Sequence, residues 1–138
     1  MIVLDTNVVS ELMKADPAAA VAQWIGRGDS DAFATTSITE AEILYGVQLL
    51  PPGRRRKAIE KAAEAMFAED FAGRILPFDS RAARAYAGIV TERARRGRPI
   101  SQSDGQIAAI VRSTGSVLAT RNVRDFEHCG IGVVDPWD

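Results

Sequence analysis

Short apolar runs alternate along the whole chain with longer segments of helical periodicity. Five runs rich in apolar or β-branched residues predict strands, at about Ile2 to Leu4, Asp31 to Thr36, Ile75 to Phe78, Val117 to Thr120 and Ile131 to Val134. Between them, apolar residues recur three or four positions apart, as on one face of a helix. The predicted helices run from about Val8 to Met13, from Pro17 through Trp24 and Ile25, from Ser37 or Thr39 to Leu50, from Arg54 to Phe71, from Ser80 to Arg96, and from Ser101 or Ser103 through Val111. This alternation predicts an α/β fold with a mostly parallel central sheet flanked by helices.

Composition is that of an ordinary globular protein, with 46% hydrophobic and 25% charged residues. We expect one domain over residues 1–138, because that length buries a substantial core. The net charge of −1 gives no overall attraction to nucleic acid, so any such binding needs a local basic patch. The N-terminus lacks the basic and long apolar regions of a signal peptide. No stretch approaches the roughly 20 apolar residues of a membrane span.

Cysteine and histidine are scarce, with one residue of each in the chain. That scarcity excludes a zinc site built from these ligands. The lone Cys129 cannot form an intramolecular disulfide and fits a reducing compartment, so we expect a cytoplasmic protein.

Three acids, Asp5, Glu42 and Asp104, each lie where an apolar or β-rich segment gives way to a helical one. In an open α/β sheet the carboxyl ends of the strands converge on one crevice, where acids from distant segments meet. Such a cluster repels itself unless a hard divalent cation neutralises it, and oxygen ligands favour Mg²⁺ or Mn²⁺. The pattern therefore predicts a metal-dependent hydrolase acting on a phosphodiester.

Each acid also has a purely structural explanation. Asp5 can cap the helix that follows it. Three Ser or Thr residues precede an acid with the spacing of a capping box: Ser37 and Glu40, Thr39 and Glu42, and Ser101 and Asp104. The first of these boxes would leave Glu42 free for other work. A fourth junction contains Asn122 and Asp125, either of which could complete the cluster or serve only to cap a turn.

Four motifs in this order resemble those of the PIN domain. They are Asp5-Thr6-Asn7 after an apolar strand, Thr39-x-x-Glu42 on a helix, Ser103-Asp104 opening another helix, and the segment from Ala119 to Phe126. More narrowly, the chain resembles the VapC-type ribonuclease toxins of bacterial type II toxin–antitoxin pairs. The segments Leu76 to Asp79, Gly97 to Ser101 and Asp135 to Trp137 resemble the FitB-like branch. The resemblance covers essentially the whole chain and implies a PIN-like three-layer sandwich.

The resemblance also implies roles for the acids. Asp5 and Asp104 match the two aspartates that most directly hold Mg²⁺ in that family, and Glu42 matches its glutamate. Mn²⁺ is an alternative cation. The fourth acidic position of some members aligns with Asn122, an uncharged amide, so Asp125 is the alternative source of a fourth carboxylate. Thr6 and Thr120 match positions whose hydroxyls support the acids or the metal-bound water.

A metal-activated water can hydrolyse a phosphodiester without a side-chain nucleophile. That chemistry suits a chain whose only histidine, His128, lies outside every acid segment, and in which Cys129 has no catalytic partner. The choice of RNA as substrate rests on the resemblance. Positive charge must hold the phosphates, and Arg121 and Arg124 lie closest in sequence to the proposed site. Two further basic clusters are candidates, Arg54 to Lys57 and the set Arg93, Arg95, Arg96 and Arg98.

Partners are implied by the resemblance alone. The apolar positions Leu12, Trp24, Leu44, Val47 and Leu50 belong to a core or to an interface. In the resembled toxins, helices of this region form a groove for the helical tail of a VapB-type antitoxin. Those toxins form homodimers and reach operator DNA only through the antitoxin, with no membrane involved.

Three other functions stay open at this point. A phosphoryl-transfer domain would use Asp5 as its phosphate acceptor, although no predicted strand ends in the lysine that such a site wants. A catalytically inactive PIN-like binding module would explain the amide at Asn122. A PIN nuclease of RNA processing is the third, although such enzymes often carry additional domains.

Overall fold

A computed structural model describes all 138 residues and contains five strands in one sheet. The strands are β1 (Ile2–Leu4), β2 (Phe33–Thr36), β3 (Ile75–Leu76), β4 (Val117–Ala119) and β5 (Gly132–Val134). All neighbouring pairs are parallel, in the order β3-β2-β1-β4-β5. Val3 of the central strand pairs with Ala34 of β2 on one side and with Leu118 of β4 on the other. The predicted α/β fold with a parallel central sheet is confirmed.

Helices cover both faces of the sheet. They are α1 (Thr6–Leu12), α2 (Ala19–Arg27), α3 (Ser37–Gln48), α4 (Arg54–Ala65), α5 (Ser80–Arg95) and α6 (Gln102–Ser113). Successive strand residues point to opposite faces. Val3 accordingly lies in a core with Ile89 of α5 and Ile107 of α6, whereas Leu4 lies in a second core with Val8 of α1 and Ile43 of α3. Helix, sheet and helix thus form three layers. No helix combines the length and the apolar content that crossing a bilayer demands.

Four predicted strands begin or end elsewhere, and β4 and β5 each differ by a single residue at one end. β2 begins at Phe33, because the Asp29 carboxylate accepts a hydrogen bond from Asp31 N and holds the intervening residues in a 3₁₀ turn. β3 ends at Leu76, because Pro77 has no N–H to donate to a neighbouring strand.

Several helix boundaries also differ from the prediction. α1 begins at Thr6, earlier than expected. α2 begins at Ala19, so Pro17 lies outside it and not in its first turn. α3 ends at Gln48, before the predicted Leu50. α4 ends at Ala65, and a wider π-turn continues the chain to Asp70.

The carboxyl ends of β4, β1 and β2 lie side by side, and this edge positions the candidate site. Asp5 follows β1 and its backbone N donates to Ala119 O of β4 at 2.9 Å. Helix α6 packs closely on α5. A Cβ on Gly105 would lie 3.0 Å from Tyr86 Cε2, so glycine permits this close approach one residue after Asp104.

Candidate active site

Asp5 lies at the centre of the sheet edge and is 4% exposed. Its Oδ1 accepts a hydrogen bond from Thr6 N at 2.8 Å, so it caps α1 as the structural explanation proposed. Its Oδ2 accepts from Thr120 Oγ1 at 2.8 Å and from Asn7 Nδ2 at 3.2 Å. All of these donors are neutral. The carboxylate is therefore held firmly in place without any cation to balance its charge.

Asn7 is a supporting residue to which the sequence analysis assigned no role. Its Nδ2 donates both to Asp5 and to Thr120 Oγ1, the latter at 3.2 Å, and its Oδ1 accepts from Arg121 N at 3.2 Å. One side chain thereby ties the end of β1 to the chain after β4. The available sequence signal was its position two residues after the aspartate, where an amide readily reaches back to the carboxylate.

Glu42 is exposed and projects from α3, but it has a partner in α1. Thr6 Oγ1 donates to Glu42 Oε1 at 2.8 Å and lies 3.0 Å from Thr39 Oγ1. The α3 N-cap is Thr36, whose Oγ1 accepts from Thr39 N at 3.0 Å. Neither capping box predicted for this helix is therefore its cap, because the N-cap lies three residues before Thr39 and one residue before Ser37, which is already helical. Glu42 is free of a capping role.

Asp104 occupies the first turn of α6 and is half-buried. Ser101 Oγ accepts a hydrogen bond from Asp104 N at 3.2 Å, which confirms Ser101 as the N-cap. The backbone N–H is used in this way, whereas the carboxylate accepts no hydrogen bond from a backbone N–H or from a basic side chain.

The fourth junction contains an exposed amide and an exposed carboxylate. Asn122 begins the 3₁₀ turn Val123–Phe126, but its side chain makes no capping hydrogen bond. Its backbone N donates to Thr120 Oγ1 at 3.1 Å, so it borders the site through its main chain. Asp125 lies within the turn, and its negative charge raises the pKa of Asp104. Of the two, Asp125 is the one whose side chain acts electrostatically on the acids.

The acids share one electrostatic environment. Burial, opposed by hydrogen bonds from Thr120 and Thr6, raises the pKa of Asp5 from its ordinary value of 3.8 to about 6, and the charges of Asp104 and Glu42 add to this increase. Burial also raises the pKa of Asp104, and the charges of Asp125 and Glu42 raise it further. Like charges within reach of one another disfavour ionisation. The sheet edge is thus a place where negative charge is costly and a cation would be favoured.

The spacing of the acids is looser than that of a closed metal cage. No three acidic, histidine or cysteine side chains lie close enough to surround an ion in this arrangement. Charge acts over a longer range than coordination. The charges of Asp104 and Glu42 thus act on Asp5, and those of Asp125 and Glu42 act on Asp104, although the side chains do not form a closed coordination shell.

The basic residues near the site divide into free and engaged groups. Arg121 and Arg124 are exposed, and the Arg121 guanidinium lies 4.9 Å from the centre of the Trp137 ring as a cation–π contact. Arg93 is 4% exposed and donates to backbone carbonyls, so its predicted contact with substrate is wrong. Two more members of that cluster are held by acids, Arg96 by Glu92 at 2.8 Å and Arg98 by Glu127 at 2.6 Å.

A groove of about 690 Å³ adjoins the site between α1, α3 and α4. Its lining includes Thr6 and Glu42, the apolar Val47, Leu50 and Ile59, and the cation Arg55. Among the apolar positions whose role stayed open, Val47 is buried, and Leu12, Trp24 and Leu44 pack against the core. Leu50 is half-buried in the wall of the groove. Most of that set is therefore core, with a groove at its edge.

A family model, curated relatives and solved structures all match this chain over nearly its whole length. The PIN domain family model matches residues 2–131. VapC ribonuclease Y4jK of Sinorhizobium fredii is 40% identical over 138 residues, covering 100% of this chain and 99% of the relative. Toxin FitB of Neisseria gonorrhoeae is 36% identical over 137 residues, covering 99% of each chain. The solved structure of FitAB bound to an IR36 DNA fragment superimposes with a TM-score of 0.94 at 36% identity, covering 100% of this chain and 96% of that one. The chain belongs to the PIN domain family, in the branch of the VapC and FitB toxins.

Proposed function

We propose that the chain, acting as one PIN domain over residues 1–138, is a Mg²⁺-dependent endoribonuclease and the toxin of a VapBC-type toxin–antitoxin pair. The observation that carries the proposal is the buried Asp5 carboxylate at the central strand end, whose pKa rises to about 6 with Asp104 and Glu42 acting on it. The similarity to a VapC ribonuclease supports RNA as the substrate. It also supports action in the cytoplasm, where RNA is available.

The donor chemistry of the residues present fits a hard divalent cation, whose binding would draw the separated carboxylates together. The donors are carboxylates, the groups around them are neutral hydroxyls and amides, and no lysine or arginine pairs with any of the central acids. Asp5, Asp104 and Glu42 would hold Mg²⁺, or Mn²⁺ in its place. The bound ion would lower the pKa of a water and polarise the phosphate.

The protein side chains orient the ligands. Thr120 and Asn7 fix one oxygen of Asp5, while Thr6 fixes Glu42 against α1. We assign the fourth carboxylate to Asp125, since its charge acts on Asp104. Asn122 then contributes through its backbone N–H, which fixes the Thr120 hydroxyl.

Substrate contact falls to exposed cations on two sides of the acids. Arg121 and Arg124 flank the fourth junction, and Arg55 lines the groove that contains Glu42. None of the three belongs to an ion pair, so each is available for phosphate. RNA would run from the groove across the acids to the Arg121 side.

We propose that partners follow the pattern of the relatives. A VapB-type antitoxin would place an apolar helix in the groove beside Leu50 and Ile59, and would carry the complex to operator DNA. The solved structure of FitAB bound to a DNA fragment supports the DNA-bound complex. Homodimerisation is also proposed, and the exposed Tyr45 on α3 and Leu49, the residue that follows this helix, offer apolar surface for an interface.

The test is cleavage of a structured RNA pool by purified, antitoxin-free protein, with Mg²⁺, Mn²⁺ or EDTA. Asp5→Asn and Asp104→Asn are the informative variants, and Asp16→Asn, on an exposed loop, is the matched control. We expect metal-dependent cleavage by the wild type and the control and none by the site variants. A folded wild-type protein that neither cleaves RNA nor binds metal would overturn the proposal in favour of an inactive binding module.

A further inference from the structure

Arg93 carries a guanidinium that lies inside the protein, 4% exposed, on α5. Its Nη1 donates to Asp125 O at 2.8 Å and to Glu127 O at 3.0 Å, and its Nε donates to Arg98 O at 2.7 Å. The same nitrogen, Nη1, lies 3.6 Å from Cys129 Sγ. The ion pairs of the chain do not include Arg93. Burying a cation whose partners are all neutral costs free energy, so we expect Arg93 to have a specific role.

The bonded carbonyls belong to two segments that lead to the active site. Arg98 lies in the loop that begins at Gly97, whose φ is +70°, and that loop runs directly into the Ser101 cap and Asp104. Arg98 N also donates to Arg93 O at 2.9 Å, so this loop is held from both directions. The other segment is the 3₁₀ turn that carries Asp125. One planar fork therefore sets the separation of two backbones that each carry an acid.

The Arg93 guanidinium is buried and donates to backbone carbonyls, so it is not placed to touch RNA. Any effect on the acids therefore passes through the two backbone segments that it joins.

We propose that Arg93 is a positioning residue of the active site, which holds Asp104 and Asp125 at a separation that lets both carboxylates face one divalent cation. The proposal rests on the proposed function. The competing explanation is that Arg93 only stabilises the fold. The two differ in what happens to metal affinity when the protein remains folded.

The experiment compares Arg93→Lys and Arg93→Gln with Arg96→Gln, a matched control on the same helix whose arginine is exposed and pairs with Glu92. Mn²⁺ affinity is measured by calorimetry, together with the melting temperature and with kcat and KM for RNA cleavage.

Loss of a residue that orients metal ligands typically weakens metal binding by about 10- to 100-fold. We expect a loss of that size for Arg93→Gln, with a fall in kcat and little change in KM. Arg93→Lys should lie between, because it keeps the charge but lacks the fork. The control should match the wild type.

A second comparison tests the route through Asp125. If Arg93 acts by placing that carboxylate, Asp125→Asn should weaken Mn²⁺ binding less in the Arg93→Lys background than in the wild type. Folded Arg93 variants with wild-type Mn²⁺ affinity and a lowered melting temperature would overturn the proposal, as would fully additive effects. If neither variant folds, Arg93 serves the fold as a whole and the specific role is overturned. A wild-type protein that binds no Mn²⁺ overturns the proposed function itself, a result visible before any variant is compared.

Discussion

Protonation of Asp5 should stabilise the metal-free protein. Its pKa in the folded state, about 6, lies above the ordinary value of 3.8 that applies to the unfolded chain. The folded state therefore binds the proton more tightly, and between these pH values the unfolding free energy falls as pH rises. Each pKa unit corresponds to about 1.4 kcal/mol. Because the Asp5 carboxyl of the unfolded chain is already more than half ionised at pH 4, this group contributes about 2.4 kcal/mol less stability at pH 7 than at pH 4.

Asp5→Asn isolates that contribution. Other acids also change stability with pH, since a hydrogen bond from Ala18 N lowers the pKa of Glu11 and the Arg98 guanidinium lowers that of Glu127. Taking the difference between variant and wild type removes these shared effects. We expect the unfolding free energy of the variant to gain about 2.4 kcal/mol relative to wild type between pH 4 and pH 7 in EDTA, the amount set by the pKa increase over that range.

The assay is urea unfolding followed by circular dichroism at half-unit pH steps, with Asp16→Asn as the control. Asp16 is exposed on a loop, so its variant should track the wild type at every pH. A difference between Asp5→Asn and wild type that stays constant from pH 4 to pH 7 would refute the reasoning, because the carboxyl would then titrate alike in the folded and unfolded chains.

Four further predictions concern the metal ligands and the packing of the helices. At pH 7, Mn²⁺ at 100 times its Kd should raise the wild-type unfolding free energy by about 2.7 kcal/mol, and calorimetric melting should detect no such increase in Asp5→Asn. Thr6→Val removes the hydroxyl that holds Glu42, so we expect RNA cleavage to fall about 10-fold or more while Thr6→Ser retains activity; equal rates would contradict this role. Gly105→Ala should lower the unfolding free energy by about 1–3 kcal/mol, because its Cβ meets Tyr86. Gly88→Ala in α5, where nothing lies within 4 Å, should stabilise by roughly 0.5–1 kcal/mol in the same denaturation assay.

The position of Asp5 could be predicted because it directly follows β1, and a parallel sheet brings such strand ends to one edge. The expectation that Asp104 also follows an apolar or β-rich segment is wrong, because it lies in the first turn of α6, after the loop that follows α5. The sequence located that helix start through the Ser101 cap, but not its place beside the sheet edge. The α3 cap could not be predicted in the same way. The run from Thr35 to Thr39 contains four hydroxyl residues, and Thr36, Ser37 and Thr39 each offer a plausible cap. Tertiary contacts decide between them: Thr35 Oγ1 donates to Leu4 O at 3.0 Å, and this fixes where β2 ends and the helix can begin.

The fourth carboxylate required information that lies far away in the sequence. Asn122 and Asp125 are three residues apart in one exposed turn, and their local patterns do not distinguish them. Our assignment of Asp125 rests on its electrostatic effect on Asp104 and on the hydrogen bond that Arg93, from another helix, donates to its carbonyl. The relevant pairing spans 32 positions, and no local preference encodes it.

The burial of Arg93 could have been predicted from its position on the helix, although not from its residue type. Four arginines between 93 and 98 look alike by composition and invite a common role as a basic patch. Yet Ala82, Ile89 and Arg93 recur at spacings of seven and four, and all three are buried on the inner face of α5. Arg95 and Arg96 fall on other faces, where they are exposed.

A cation that continues an apolar stripe has to satisfy its hydrogen-bond donors inside the protein, because burying a charged group without partners costs on the order of several kcal/mol. Its acceptors must then be carbonyls or carboxylates of the segments packed over that face, and here those segments carry Asp104 and Asp125. The phase of the helix thus separates an arginine that organises the acids from those that face solvent.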